Sequence, residues 1–344
     1  MENTSTTALT IESQDKRSGK FQLLLLFIIL NSFVYGQFTV APKLTYKLTT
    51  GKFKEENLEK LKSTTTIVVY GNKEKESLDS IKLYLQAAWH LTKLEFVSVD
   101  DFDAANYDGT YSFLTIRSAA FEKSSSDPMD TMTSKYVRVG LDLWMNDGDT
   151  QLFFGRMILF PTHSTWSALY SKRKKETLEY CYGKADFNLW SPGYIKSFLQ
   201  VLEVKLNARE EISIFKSEKY ADISSLTNDT LYVPDFVRTK YNRTLKGLNI
   251  DERSVDELSG TYKYPIKFIS KSEMSDLILS SKTSFMYLIY AISSSDKFVS
   301  IIDGQTGELM DANYTKGTNF MRSDLTRISK RIKSDAKKLK KKAK

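Results

Sequence analysis

The strongest constraint on this fold is an internal repeat, because one sequence unit occurs twice in the chain. Residues 94–102, LEFVSVDDF, align without a gap with residues 266–274, IKFISKSEM. Both segments read aliphatic, charged, Phe, β-branched and Ser, and both end with an acidic residue before a bulky apolar one. When a Ser precedes an Asp or Glu by three residues, the Ser oxygen can accept from the amide of the acidic residue, and the carboxylate can accept from the amide of the Ser. This pair of hydrogen bonds caps the start of a helix. The repeat therefore predicts, in each copy, a strand followed by a capped helix that begins after Ser98 or Ser270.

Further matches flank this core in the same order in both copies. Short runs of β-branched and aromatic residues, bounded by turn residues, are typical of strands. Upstream of the core, residues 66–69 match residues 230–233, and downstream, residues 111–116 match residues 285–290. We therefore predict three corresponding strands in each copy.

A β-hairpin is predicted next in each copy. Asp-Gly between two alternating runs is the strongest short-range hairpin signal. The first copy has NDGD at 146–149 and the second has DGQTG at 303–307. The predicted hairpin strands are residues 137–145 and 151–160 in the first copy, and residues 297–302 and 308–313 in the second.

Each copy closes with a predicted amphipathic helix. Residues 194–206 align with residues 320–332. A spacing of three and then four residues places apolar side chains on one face of a helix. The matched apolar positions are Leu199, Leu202 and Leu206 in the first copy and Leu325, Ile328 and Ile332 in the second. We expect this face to pack on the sheet of its own copy.

The first copy opens as strand, helix, strand, since residues 77–92 carry apolar residues at helical intervals. Alternating strands and helices favour a layered α/β architecture. The predicted fold class is therefore α/β, of mixed α+β type. It consists of two tandem related units, at 60–212 and 226–344, each a mixed sheet with a βαβ core, an antiparallel hairpin and a closing helix. Residues 37–59 form a lead-in segment, and residues 117–135 form an insertion loop found only in the first unit.

Residues 1–36 are predicted to be a signal peptide. A basic flank that ends at Lys20 precedes FQLLLLFIIL at 21–30, which is the pattern of a secretory signal. We expect cleavage after Gly36 or one residue later. The alternative is an inner-membrane anchor through residues 21–36, a stretch shorter than the about 20 apolar residues that a span needs. Because the chain has a single Cys, the expected destination is the periplasm, the outer membrane or the exterior of a bacterium.

The order strand, helix, strand, short helix, strand, hairpin, helix resembles that of small α/β domains in bacterial envelope proteins. Such domains are the amino-terminal domain of the Tol-system β-propeller protein and those of the curli-secretion channel subunit. The whole chain is similar to uncharacterised exported bacterial proteins with a duplicated α/β unit. The resemblance lies in the order of elements and in no shared motif. It implies a role in assembly, transport or protein contact, with an envelope protein or peptide as the partner.

Reactive residues are few and scattered along the chain. It contains two histidines, His90 and His163, and one cysteine, Cys181. No phosphate loop, nucleophile elbow or zinc motif occurs, and the aspartates near the first hairpin turn lack the closing Glu of a calcium loop. His90 is expected to end a helix, and Cys181 to be a buried small hydrophobe. We predict no catalytic residue, cofactor or metal site.

The candidate contact residues lie in segments that the second unit lacks. His163 and Trp166 follow the first hairpin, within a predicted long loop at 161–190. Loops on a rigid scaffold often carry function. We therefore predict that His163 and Trp166, together with the 117–135 loop, contact a ligand or a partner.

The positive charge of the chain is concentrated at its carboxyl end. Residues 327–344 contain ten Lys or Arg and one acidic residue, a net charge of +9, whereas the whole chain carries +8. Two interpretations stay open: a solvated helix end, where cations are favoured, or contact with an anionic membrane surface. The residues concerned are Lys337, Lys338, Lys340, Lys341 and Lys342. No nucleic-acid partner is expected, since no aromatic residue follows Phe320.

The sequence thus predicts a non-enzymatic, exported binding or assembly protein of the bacterial cell envelope. The alternative is a secreted hydrolase that uses carboxylates in loops of the first unit, such as Asp127, Asp130 and Asp142. An enzyme should show a concave pocket with converging titratable groups, whereas a binding module should show an exposed patch or sheet edge.

Overall fold

The computed structural model describes residues 38–44, 54–124, 133–171, 174–210, 217–240, 251–293 and 296–342 of the 344-residue chain. All of these belong to one body, 35–344. The predicted signal peptide, 1–36, lies outside the described residues. None of the helices in the described ranges is both long enough and apolar enough to cross a bilayer.

The strands, in chain order, are β1 (Phe38–Leu44), β2 (Thr65–Tyr70), β3 (Lys93–Ser98), β4 (Tyr111–Ser124), β5 (Thr133–Asp147), β6 (Thr150–Ile158), β7 (Glu218–Lys219), β8 (Leu231–Pro234), β9 (Thr239–Lys240), β10 (Asp251–Glu252), β11 (Ile266–Ile269), β12 (Met286–Ser293), β13 (Asp296–Asp303) and β14 (Leu309–Lys316).

The helices are α1 (Glu55–Lys62), α2 (Leu78–Gln86), α3 (His163–Ser171), α4 (Lys174–Gly183), α5 (Pro192–Asn207), α6 (Val255–Ser259), α7 (Lys271–Ser280) and α8 (Arg322–Lys342). Short 3₁₀ turns occur at Asn72–Ser77, Ala104–Asn106, Ser224–Thr227 and Asp235–Arg238.

Two sheets of equivalent order organise the described residues. The first sheet has the order β3-β2-β4-β5-β6-β1 and the second has the order β11-β8-β12-β13-β14-β7. The first three strands of each are parallel, and the remaining neighbours are antiparallel. Parallel neighbours need crossover connections, whereas antiparallel neighbours can be joined by hairpins. The predicted fold class, a mixed α/β protein of two tandem related units, is confirmed.

The last strand of each sheet comes from residues that the sequence assigned to neither sheet. β1, of seven residues, lies in the predicted lead-in segment and pairs antiparallel with β6. β7, of two residues, lies between the two predicted units and pairs antiparallel with β14. Each sheet is thus completed by chain that precedes its own parallel core.

Both predicted hairpin turns are confirmed. β5 and β6 flank Gly148, whose φ is +59°, and β13 and β14 enclose Gly307, whose φ is +72°. Glycine adopts this left-handed conformation without steric cost. A Cβ on Gly307 would also lie 2.2 Å from the Cβ of Gln200 in α5, so this turn packs directly on the closing helix of the first unit.

The two predicted helix caps have different outcomes. The Ser270 hydroxyl accepts from the amide of Glu273 at 3.2 Å, and the Glu273 carboxylate accepts from the amide of Ser270 at 2.8 Å, so α7 begins as predicted. The helix predicted after Ser98 is wrong, because a turn follows β3 there. There the Ser98 hydroxyl accepts from the amide of Asp100 at 3.3 Å, and the Ser98 carbonyl oxygen accepts from the amide of Asp101 at 3.0 Å. Such local bonds compete with helix formation.

The predicted 117–135 loop is wrong over most of its length. β4 runs on to Ser124 and β5 begins at Thr133, and the two pair continuously from Arg117–Gly140 to Ser124–Thr133. We call residues 117–124 and 133–140 the ribbon. The pairing of β2 with β4 ends at Leu114 and that of β6 with β5 ends at Gly140. Among the described strands, the ribbon therefore extends beyond its neighbours.

The two closing helices bury equivalent residues, as the alignment predicts. The six matched side chains are fully buried, namely Leu199, Leu202, Leu206, Leu325, Ile328 and Ile332. α5 packs against α2 of the first unit and α7 of the second. It also hydrogen-bonds to the second sheet through Ser197 and Tyr287. The first closing helix thus lies between the units, where it serves both cores.

Candidate functional site

The carboxyl ends of the parallel strands are where an open α/β sheet usually binds ligands. In each sheet the central parallel strand, β2 or β8, has a parallel neighbour on both sides. The chain therefore moves to one side of this strand and then returns to the other. At such a reversal point a crevice forms beside the carboxyl ends of the strands. An open crevice would favour a ligand site at this place, whereas a filled crevice would argue against one.

In the first sheet α4 fills this crevice. A Cβ on Gly71, the residue after β2, would lie 2.3 Å from the carbonyl oxygen of Tyr182 in α4. The Tyr182 hydroxyl accepts a hydrogen bond of 2.7 Å from the backbone amide of Ile116 in β4. Tyr182 is 3% exposed, and its burial raises the pKa of the phenol well above its usual range. The phenol therefore serves as a neutral structural group.

The chain that follows α4 holds the same end of β2. The Glu74 carboxylate accepts from the Gly71 amide at 2.9 Å and from the indole nitrogen of Trp190 at 2.7 Å. Lys73 Nζ donates to the carbonyl oxygen of Ala185 at 2.7 Å. These bonds fix the region after α4 against the sheet, so the crevice is closed by a bonded structure.

In the second sheet aromatic rings fill the equivalent crevice. Phe160, which follows β6 of the first unit, packs edge-on against Phe236 and Tyr290, with ring centroids 5.8 and 5.6 Å apart. Phe320, just before α8, packs on Tyr290 at 5.7 Å. Edge-on pairs at these distances are favourable beyond the area they bury. The crevice of the second sheet is therefore part of the core between the units.

The reactive groups of the first unit are also buried. Asp142, named in the hydrolase alternative, is 0% exposed and accepts a 2.6 Å bond from Arg156 Nε. Burial raises the pKa of the Cys181 thiol to about 12, so the prediction of a buried small hydrophobe is confirmed. Asp127 and Asp130, the other carboxylates of that alternative, lie outside the described residues.

His163 and Trp166 lie in a helix, not in the loop that the sequence indicates. His163 is the first residue of α3, and its side chain lies outside the described part of the chain. Trp166 is half-buried, and its amide donates to the carbonyl oxygen of Thr162 at 2.9 Å. α3 packs on β5, and α4 packs on β4. α3 and α4 thus pack on the two strands that continue into the ribbon, and we call ribbon, α3 and α4 together the first-unit insert.

His90 has a structural partner that the sequence did not indicate. Its Nδ1 lies 3.1 Å from Glu203 Oε1, and its amide donates to Glu203 Oε2 at 2.8 Å. Glu203 belongs to α5, so this pair joins the closing helix to the residues that follow α2.

A polar cleft of about 260 Å³ lies between β7, β14 and α8, and sequence reasoning missed it. Lys219 and Lys330 line the cleft. Its guanidinium groups already have carboxylate partners: Arg327 donates to Asp311 at 2.7 Å and Arg331 donates to Asp335 at 2.6 Å. No run of adjacent residues could have revealed the cleft, because β14 and α8 meet only through folding.

The five lysines of the predicted surface contact are exposed at the end of α8.

The described residues contain no cluster of three or more His, Cys, Asp or Glu side chains that could hold a metal ion. Comparison of the chain with protein-family models, with characterised proteins and with solved structures finds no match.

Proposed function

We propose that this chain is a non-enzymatic binding or assembly protein, exported to the bacterial cell envelope. One observation carries the proposal: the first-unit insert both fills the crevice of the first sheet and adds surface that the second unit lacks. An insert used for catalysis would be expected to leave the crevice open to a substrate. Here α4 fills the crevice, and the rest of the insert adds outer surface to the fold.

The ribbon is the part of this insert best suited to a protein partner. Two-stranded ribbons are marginally stable alone, and α3 and α4 pack on the two strands from which this one extends. Strand edges offer backbone amides and carbonyls that an extended partner segment can pair with. We therefore expect the partner to be an envelope protein or peptide that adds an extended segment beside the ribbon, close to Trp166.

Site-specific photo-crosslinking in host cells tests this location. A photo-reactive amino acid is placed at Trp166, and the matched control carries it at Leu83, which is 66% exposed on α2. We expect a discrete adduct from Trp166 and none from Leu83. Because Leu83 is the more accessible side chain, equal adducts at both positions would mean random collision and would contradict the proposed surface.

A shortened ribbon provides the second test. Residues 119–138 are replaced by a two-residue turn, which matches the length of the equivalent connection between β12 and β13. The variant should keep the unfolding temperature of the parent and lose the adduct formed from Trp166. An adduct that persists without the ribbon would place the partner elsewhere.

The hydrolase alternative is tested on the same protein. Burial and ion pairing of Asp142 argue against a role in substrate contact. We expect no turnover of model esters, glycosides or peptides by the purified chain. Turnover that is lost in Asp142→Asn, in a variant that still folds, would favour the enzyme.

Export is tested by the mass of the protein recovered from envelope fractions. We expect a chain that begins at Gln37 or one residue later, as the signal pattern predicts. Recovery of the intact chain in the inner membrane would instead favour the anchor through residues 21–36.

A further inference from the structure

The two halves of α8 have different surroundings. In the first half Leu325, Ile328 and Ile332 are fully buried against the second unit. The carboxylate of Asp335 accepts from Arg331 at 2.6 Å and from the backbone amide of Ile223 at 3.4 Å. Asp335 is the last residue in the described part of α8 with a buried side chain. The body of the protein therefore holds the helix up to this position.

The second half is exposed on every side. Residues 337–342 are helical and all exposed, and they span about 9 Å at 1.5 Å per residue. Five of the six are lysines, and the sequence contains no acidic residue after Asp335. Lys338 Nζ lies 3.9 Å from the Asp335 carboxylate. We call residues 337–342 the lysine tip.

The helix dipole accounts for only part of the lysine tip. Cations are favoured in the last turn of a helix, which here contains Lys340, Lys341 and Lys342. The effect falls off beyond the last turn, so it does not account for Lys337 or Lys338, and of these two Lys338 has the 3.9 Å ion pair with Asp335. Their positive charge adds to that of the last turn, although the helix dipole does not require it for stability.

The positions of the tip lysines around the helix axis favour binding to another surface through charge. At 100° per residue the five lysines point to several sides of the helix. Leu339 is 49% exposed and lies seven residues after Ile332, on the side of the helix that faces the body. An apolar face directed outward, which an inserting helix needs, is therefore missing from the described tip.

We infer that the lysine tip is a docking surface for a bilayer that contains anionic phospholipid. A plane of phosphate groups matches flexible ammonium groups that point in several directions, and each lysine near such a surface strengthens binding about fivefold. Nucleic acid is disfavoured because no aromatic residue follows Phe320 for base stacking and no arginine follows Arg331 for bidentate contacts. This inference stands independently of the partner proposed for the first-unit insert.

Vesicle co-sedimentation of the full chain tests the inference. Vesicles of phosphatidylcholine, with or without phosphatidylglycerol, are compared for the parent and for a variant with all five tip lysines changed to glutamine. We expect the variant to lose about 100-fold or more of its partition onto anionic vesicles at low salt. Parent binding should fall steeply toward 1 M salt, where the screening length is about 3 Å. Any binding through residues 21–36 would be shared by both proteins and would persist at high salt.

Three matched variants separate the tip from net charge and from insertion. Replacing the five lysines by arginine should preserve binding. Leu339→Ser should also preserve it. The charge control removes five exposed lysines elsewhere, at Lys75, Lys184, Lys263, Lys267 and Lys282, and should bind nearly as the parent does.

Several results would overturn the inference. Equal partition of the glutamine variant and the parent, at equal unfolding temperature, would remove the tip as a docking surface. A similar loss in the charge control would reduce the effect to net charge, and a loss in Leu339→Ser would mean insertion. Tip-dependent binding to duplex DNA that is tighter than binding to anionic vesicles would assign the surface to nucleic acid.

Discussion

Gly193, in the first turn of α5, marks a close backbone approach between the first unit's closing helix and the second unit. A Cβ at this position would lie 2.6 Å from the carbonyl oxygen and 2.7 Å from the Cα of Ser275 in α7. The Gly193 amide also donates to Ser275 Oγ at 3.1 Å, and nearby Lys196 Nζ donates to the carbonyl oxygen of Ile278 at 2.9 Å. We therefore predict that Gly193→Ala destabilises the protein by forcing α5 and α7 apart.

The magnitude follows from two opposing effects. Alanine is favoured over glycine within a helix by at most about 1 kcal/mol. Overpacking a core contact costs about 1–3 kcal/mol, and here the contacting atoms are backbone atoms that cannot rotate away. The net loss in the free energy of unfolding should be about 1–2 kcal/mol. For a chain of this size this lowers the unfolding temperature by about 1–3 °C.

Thermal unfolding monitored by near-UV circular dichroism measures this effect. The matched control is Gly183→Ala in α4, where an added Cβ would meet no atom within 4 Å. The control should unfold at or slightly above the temperature of the parent. Adding Ser275→Ala to Gly193→Ala should not restore stability, because it removes the hydroxyl and leaves the backbone atoms in place.

An unfolding temperature for Gly193→Ala at or above that of the parent would refute this reasoning. It would mean that α5 and α7 are not packed at backbone distance. Rescue by Ser275→Ala would show that the side chain, and not the backbone, limits the space.

Three further predictions concern the core. Ile328→Ala should cost about 2–5 kcal/mol in denaturant titration because the side chain is fully buried, whereas exposed Leu339→Ala should change stability by less than about 0.5 kcal/mol. Lys297→Met should lower the free energy of unfolding by about 3–5 kcal/mol, because it leaves the buried Asp324 carboxylate, 2.5 Å from Lys297 Nζ, without its ion partner. If the double variant with Asp324→Asn loses as much as the two single variants together, the two residues are not a coupled pair. Cys181 should resist alkylation near neutral pH in the folded protein and react after unfolding, since burial raises its pKa to about 12; fast labelling of the native state, followed by mass spectrometry, would disprove its burial.

Features that depend on neighbouring residues could be predicted from the sequence. The first hairpin turn needs glycine in a left-handed conformation at Gly148, and this requirement is visible in Asp147-Gly148. In the second hairpin Asp-Gly predicts the place of the turn, but the left-handed glycine is Gly307 and not Gly304. The capping box of Ser270 and Glu273 is equally local. The same signal at Ser98 failed because Ser98 closes a tight turn with the amides of Asp100 and Asp101, and the choice between turn and helix depends on packing that the sequence does not show.

The candidate sites also divide into features that one segment of sequence reveals and features that only folding creates. The exposed lysines at the end of α8 follow from charge and helical periodicity, which are properties of one segment. The contact of Tyr182 with Gly71 joins residues more than a hundred positions apart, and the sequence contains no pattern that pairs them. The contact role of His163 and Trp166 stays a prediction, whereas their helix and its packing on β5 are features that the sequence does not indicate.

Residue spacing within short stretches is enough to predict the duplicated order of elements, the apolar faces of the closing helices and the charge of the carboxyl end. Which surfaces remain available depends on the fold of the whole chain. The fold placed α5 between the two units, seated α4 in the crevice of the first sheet and brought Phe160 into that of the second. The reason is physical: periodicity specifies which face of an element is apolar, whereas the identity of the surface that covers this face depends on the packing of the whole chain.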